Sequence, residues 1–428
     1  MAGVPARYRW IRCTRSDHPT TMTEHENHPP AGIPVPGAGG GPVEAAPIPA
    51  VPASVPDPAR PDTAAGEPRP ARSRRRRRWP WMVFLLLVVA IAVASRWNLD
   101  TYAVQPGTAQ SVQSFITVPA DRSHPVSHPV LLTDVQIGRV TALTYPFYWL
   151  QGDTSFVPLG DVTGGTPPSQ LNAQGQLEMS QAEASAKTAA LRHLGYQVTA
   201  TPSGAVIFGT FPGTPAYRAL NVGDVVTAVD GAATPTAQAL TGSLAHHHSG
   251  QTVSLTVRKG ATAAPVPVPV TLKSTVVDVG GGRTATLDLG IVPEDQVDFA
   301  YPFNVNINVT NIGGPSAGLA MTLGVIDALT AGSVTGGHTV AVTGTIDSQG
   351  DVGDVGGVPQ KTVAVENAGA SLFLVPPQEY QAAMSKDRPG LKIYAVSTLD
   401  QALSVLAAHG GTVPAPAAGT SPYAAAAG

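Results

Sequence analysis

Two residues in this 428-residue chain have types and surroundings that invite chemistry, Ser316 and Lys361. Ser316 opens the apolar run SAGLAMTLGVIDALT after the chain break Gly313-Gly314-Pro315. The spacing predicts a helix from there to about Leu329. Small residues around the serine (Gly314, Ala317, Gly318), with Pro315 between, let a reacting carbonyl approach the backbone closely. Free amides at such a helix start stabilise an oxyanion. The same serine reads equally well as an N-cap, a position that serine favours. Lys361 lies 45 residues further on, in the first turn of a second helix predicted from about Pro359. The helix dipole disfavours a cation there. A buried lysine loses its charge readily, and the neutral amine can take a proton from a serine hydroxyl. The chemistry this pair offers is nucleophilic acyl transfer.

The elements that must position the pair can be read around them. Asn304 to Val309 alternate polar and apolar residues, as a half-buried strand leading to Ser316 does. The stretch 339–369 reads as a strand, a glycine-rich turn and then the Lys361 helix. Gly314-Pro315-Ser316-Ala317-Gly318 also satisfies G-x-S-x-G, the nucleophile elbow of α/β-hydrolases. That alternative needs a downstream histidine, for which only His338 and His409 are available. The run His246-His247-His248 is expected to be a solvated loop, since three consecutive histidines rarely converge on one ion. No metal site and no cofactor are expected.

Upstream, residues 196–273 resemble a PDZ domain of the bacterial protease-associated type. The carrying residues are Pro212-Gly213-Thr214-Pro215-Ala216, Leu220, Gly223-Asp224-Val225-Val226 and Val229-Asp230-Gly231. Gly223-Asp224 turns into an apolar strand and Asp230-Gly231 turns out of it. The resemblance implies binding of an extended peptide at a sheet edge. Ser203, Gly204, Ala205 and Val206 are, by position, the expected peptide-binding loop. The proline-broken run 264–272 is expected to be an edge strand.

Gly314-Pro315-Ser316-Ala317-Gly318, Thr343-Gly344 and Gly356-Gly357-Val358-Pro359-Gln360-Lys361 look like the proteolytic domain of Lon-type serine peptidases (family S16) over roughly 274–410. The resemblance implies Ser316 as nucleophile and Lys361 as general base, with the Thr343 hydroxyl orienting the amine. Gly314, Pro315, Ala317 and Gly318 would line the substrate. Two departures stand out: glycine replaces the acid usual before the serine motif, and Thr345 replaces the usual glutamate after Thr-Gly. No G-x-x-x-x-G-K-[ST] phosphate loop occurs in the sequence, so neither the ATPase module nor ATP is expected.

Charge divides the chain into three parts. Residues 1–78 carry 12 Lys/Arg against 7 Asp/Glu, 79–95 carry no charge, and 96–428 carry 14 Lys/Arg against 22 Asp/Glu. The uncharged segment WPWMVFLLLVVAIAVAS is flanked by Trp79, Trp81 and Trp97 and preceded by Arg74 to Arg78. It reads as one transmembrane helix with its N-terminal side in the cytoplasm. The rival reading, a cleaved signal peptide ending near Ala92-Val93-Ala94, has too long a preceding segment, even if translation starts at Met22. Thirteen prolines in 29–70 predict a disordered tail. The single cysteine, Cys13, leaves the later part without disulfides.

The expected fold is a multi-domain α+β chain. It comprises a disordered cytoplasmic tail (1–78), a transmembrane helix (79–97), an N-terminal exported region (98–195) and a PDZ-like β-rich domain (196–273). A Lon-type α/β proteolytic domain (274–410) and a disordered tail (411–428) complete it. The layout is similar to a membrane-bound bacterial PDZ–Lon-like peptidase family, with the catalytic part outside the cytoplasm. Expected partners are protein or peptide substrates and the membrane, with no nucleic acid; the oligomeric state is open. A non-catalytic adaptor that presents peptides through the PDZ-like module is the alternative from another class.

Overall fold

The computed structural model describes residues 79–163, 166–260, 263–279, 283–309, 312–387 and 389–414. The expected tails before 79 and after 414, with Cys13 and Arg74 to Arg78, lie outside the described residues. Contacts divide the chain into two units, and the described part of the larger one starts at Val89. The other reaches Val88, and its described residues are the first ten of helix α1.

Helix α1 (Trp79–Arg96) has no buried residue and is long and apolar enough to cross a membrane by length and composition. Strands β1 (Asn98–Ser111) and β2 (Leu131–Thr141) follow, then α2 (Tyr145–Gln151), β3 (Ser155–Pro158) and the long α3 (Pro168–His193). Next come β4 (Thr199–Thr210), β5 (Asp224–Val229), α4 (Ala237–Leu244), β6 (Thr252–Lys259) and β7 (Val266–Thr271). The hairpin β8 (Thr275–Asp278) and β9 (Thr284–Leu287) leads to β10 (Ile291–Ala300). The C-terminal part holds α5 (Gly318–Leu329), β11 (Val340–Val342), α6 (Val358–Asn367), β12 (Leu372–Val375), β13 (Lys392–Ala395) and α7 (Leu399–Ala408).

The main sheet has the order β13-β12-β11-β2-β1-β3. β13, β12, β11 and β2 are parallel neighbours, and β1 and β3 extend the sheet antiparallel. Alternation sorts its side chains into two cores. Val340, Val342, Leu372 and Leu374 face α3, α5 and α7, while Ala341, Phe373 and Val375 face α6. This is an α/β sandwich with helices on both faces, which requires buried apolar strands. α5 is buried from Gly318 to Ala328, and apart from Thr322 and Asp327 it carries no polar side chain there, as a helix enclosed by a core requires.

The second sheet, β10-β4-β5-β6-β7, is antiparallel and carries its own core of Ile207, Val226, Leu240 and Leu255. β7 lies at its edge, as the prolines require.

Strand pairing corrects two expected boundaries. Residues 98–195 are not separable from the proteolytic part. β2 pairs with β11, and Val112, Leu132, Met179 and Leu191 share one core with Leu319, Leu323 and Leu403. The PDZ-like sheet does not end at 273 either, because β10 pairs along β4 from Ile291↔Thr210 to Ala300↔Thr199. The β-rich module is thus an insertion within the α/β domain. Sequence reading missed this because strands distant in sequence pair without any local signal. The expected strand 304–309 is reduced to a two-residue pairing, Asn306–Ile307 with Ile116–Thr117.

The interleaving predicts that residues 274–410 expressed alone will not fold. That fragment lacks β1, β2 and α3 from the sheet and core, and β4 as partner of β10. The measurement is a circular-dichroism melt. We expect no cooperative transition for 274–410 and a cooperative one for 98–414.

Candidate active site

The strand β11 ends at Val342, and the next two residues bind the Ser316 peptide. The Gly344 amide donates to the Ser316 carbonyl at 3.0 Å, and Thr343 Oγ1 donates to the same oxygen at 3.4 Å. The Leu319 amide returns a bond to the Gly344 carbonyl at 3.1 Å. Strand end and helix start are therefore stitched together in both directions. Gly318 permits this, because a Cβ there would lie 2.9 Å from the Ile346 nitrogen. The expected role of Gly318 beside a reacting carbonyl is corrected accordingly: its vacant side is filled by the chain's own 345–346 segment. Ala317 is likewise buried, whereas Gly314, Pro315 and Ser316 are partly exposed.

Ser316 does not cap the helix. The N-cap of α5 is Ala317, that of the preceding turn (Pro315–Ala317) is Gly314, and neither has a side-chain cap bond. Among the described residues, Ser316 Oγ makes no hydrogen bond. Gly314 has φ 90°, a left-handed conformation that glycine adopts at little cost. Its amide donates to the Gly175 carbonyl of α3 at 3.0 Å, so α3 holds the turn from outside. Sequence reading gave no function to α3; nothing in a helical pattern marks one carbonyl as a partner.

Lys361 enters from α6. Gly357, at φ 70°, starts the helix, Pro359 fits its first turn, and the Lys361 amide closes the first bond to the Gly357 carbonyl at 3.0 Å. Only 2% of Lys361 is exposed, and its Nζ donates to Thr343 Oγ1 at 3.0 Å. The three expected residues thus form one chain of contacts, from the Lys361 amine through the Thr343 hydroxyl to the Ser316 carbonyl. Burial lowers the Lys361 pKa to about 8, against the opposing pull of Asp134 and then Glu379. These two carboxylates went unnoticed in the sequence. Asp134 is fixed by the Thr108 amide and hydroxyl, where a Cβ on Gly107 would overlap it. Burial and the neighbouring Asp354 raise the pKa of Glu379, while Lys361 lowers it.

The histidines are engaged elsewhere. His338 Nδ1 meets Ser371 Oγ at 3.4 Å, and His409 Nε2 meets Tyr394 Oη at 3.1 Å. His338 precedes β11 and Thr343 follows it, so the strand's length separates that cluster from Ser316. This is not the arrangement that a Ser–His hydrolase requires. His247 pairs with Asp230 at 2.9 Å.

The expected peptide loop Ser203–Val206 is also corrected. It lies inside β4, with Ala205 paired to Asp295 of β10 on one side and Val226 of β5 on the other. Both edges are occupied, leaving no ladder for a peptide. The sheet's open strands are β10 and β7.

Residues 304–408 match the C-terminal proteolytic domain of Lon protease (S16), and residues 193–270 match a PDZ domain. The chain is 34% identical over 121 residues to Lon protease 2 of Bacillus subtilis, covering 28% of this chain and 20% of that protein. It is 32% identical over 126 residues to Lon protease of Rickettsia bellii, covering 28% of this chain and 16% of that one. The chain thus spans a fifth or less of the length of these relatives. A solved PDZ domain of the SdrC-like protein from Listeria monocytogenes is 21% identical, with a TM-score of 0.16 over 20% of this chain and 90% of its own. The chain therefore carries a PDZ domain and a Lon-type proteolytic domain, the latter of serine-peptidase type.

Two substitutions separate chemistry from folding. Lys361→Met removes a buried amine and keeps an unbranched side chain, so activity should vanish while the melting temperature holds or rises. Thr343→Val removes one hydrogen bond to the amine, worth about 1.5–3 kcal/mol if charged, so the rate should fall about 10- to 100-fold. Peptide hydrolysis rates and thermal melts of the purified variants check both.

Proposed function

We propose that this chain is a membrane-anchored serine endopeptidase that hydrolyses peptide bonds with Ser316 and Lys361, without ATP. The observation that carries this reading is the buried Lys361 amine bonded to Thr343, whose hydroxyl bonds the Ser316 peptide. Ser316 Oγ attacks the scissile carbonyl while the neutral Lys361 amine takes its proton. The oxyanion is received by the amides at the start of the Ser316 helix. Lys361 then protonates the leaving amine, and an ester on Ser316 remains. Water, deprotonated by Lys361, hydrolyses that ester and restores the pair.

The β-rich module delivers substrate. An extended peptide adds to the outer edge of β10, beside α4, whose Ala237 amide is held by the Asp295 carboxylate at 2.7 Å. β10 continues directly into the segment that ends at Ser316, so a docked peptide and the nucleophile share one stretch of chain. Helix α1 is the anchor. Its 18 residues rise about 27 Å, close to a hydrocarbon core of about 30 Å. The basic run before it sets the N-terminus in the cytoplasm and the peptidase outside. Substrates are exported or membrane-associated proteins that present a flexible segment.

Membrane preparations containing wild type or Ser316→Ala, compared for fragments of exported proteins, test the activity. Fragments should disappear in the variant, and identical patterns would remove the reading. The base must be neutral to act, so activity should rise with pH and reach half its plateau near pH 8, the value set by burial of Lys361. A profile already flat from pH 6 would exclude Lys361 as the base.

A further inference from the structure

Helix α2 lies beside the end of α1 and presents bare aromatic and aliphatic side chains. Phe147 is 60% exposed, Trp149 66% and Leu150 76%, with Leu143, Tyr145 and Trp97 exposed nearby in sequence or contact. Thirteen consecutive residues, Val140 to Gly152, carry no charge. Surface segments of a water-facing domain seldom combine such length without charge and such exposure of large apolar groups.

The backbone fixes where this segment lies relative to α1. Only Trp97 separates α1 from β1, so no linker lifts the sheet away from the helix end. The Leu143 amide donates to the Ala94 carbonyl at 3.2 Å, and the Ala142 amide to the Trp97 carbonyl at 2.9 Å. Leu143 is thereby level with the last turn of a helix barely long enough to cross a bilayer. α2 starts two residues later, at Tyr145. It is pinned to the sheet by Tyr145 against Phe156, ring centroids 4.7 Å apart, and by Gln151 bonded to Gln105. Its position therefore follows from that of the last turn of α1.

We infer that α2 lies in the lipid–water interface of the bilayer that α1 spans, as a second contact between this chain and the membrane. The occupant is the lipid surface itself. Aromatic residues suit that zone, and the absence of charge in the segment means that anionic lipid is not required. The inference rests on the reading of α1 as an anchor. It deepens that reading by placing the site: Gln360, next to Lys361, donates to Ser155 Oγ at 2.6 Å and to the Asp153 carbonyl at 3.4 Å, just past the end of α2. The base thus stands on a helix tied to the interfacial segment, and the bonds it cleaves are those close to the membrane surface.

The test uses the full chain in phosphatidylcholine nanodiscs, on a Cys13→Ser background, with a nitroxide at one introduced cysteine. Leu150→Cys reports α2, Leu86→Cys the centre of α1, and Val276→Cys an exposed site on β8. Relaxation by oxygen, which enters lipid, is compared with that by a water-soluble nickel complex. We expect labels at 150 and 86 to respond more to oxygen and the label at 276 more to nickel. A label at 150 that behaves like 276 while 86 stays in lipid overturns the interfacial placement and leaves the anchor standing. A label at 150 shielded from both reagents overturns it as well, because a second protein copy then covers α2. A label at 86 that is open to nickel removes the anchor, and the placement with it.

Discussion

Keeping the Lys361 amine away from water is the constraint to which the rest of the site answers. An ammonium in that position would need either solvent or a counter-ion, and among the described residues no carboxylate forms an ion pair with it. Desolvation favours the neutral amine, and the Thr343 hydroxyl gives it a partner in either protonation state. Asp134 and Glu379 oppose the shift without cancelling it. The outcome is an amine with a pKa of about 8, which is what the proposed proton transfer from Ser316 needs. To hold that amine dry, α6 must pack on β1 and β2, which is why the start of α6 is a glycine turn pressed against Val135.

Site and scaffold were unequally legible in the sequence. Ser316 and Lys361 could be found because each stands out locally: a hydroxyl precedes a largely apolar helix, and a cation stands at the wrong end of a dipole. The decision between nucleophile and cap was not available there, since both put serine at a helix start. The fold removes the cap reading, because Ala317, not Ser316, occupies that position. Asp134 looked like an ordinary polar residue in a strand, and its bearing on Lys361 arises only when β2 passes beneath α6. The misplaced peptide loop has a similar origin. Ser203 to Val206 were expected as a loop by position, yet they lie within β4, and a partner about 90 residues later occupies its edge.

The interrupted α/β domain gives the β-rich module an unusual mechanical position. It is attached through α3 on one side and through β10 on the other. α3 also touches it directly, since Gln170 bonds Thr210 and Gln174 bonds the Phe208 carbonyl, while further along the same helix Gly175 holds Gly314. One helix therefore contacts both the sheet of the β-rich module and the turn that carries Ser316.

This interleaving also governs the order in which the molecule can be made. A chain synthesised from its N-terminus releases β1, β2 and α3 first, and their apolar faces have no partner until residues 305–406 arrive. The module in between has its own core and can collapse while the ribosome continues. Non-local pairing of this kind slows folding and leaves surface open to aggregation or to chaperones. It also means that Thr343 and Lys361 find their places only when the last third of the chain has closed the sheet. The proposed Ser316–Lys361 pair is therefore assembled only at the end of the chain's own synthesis.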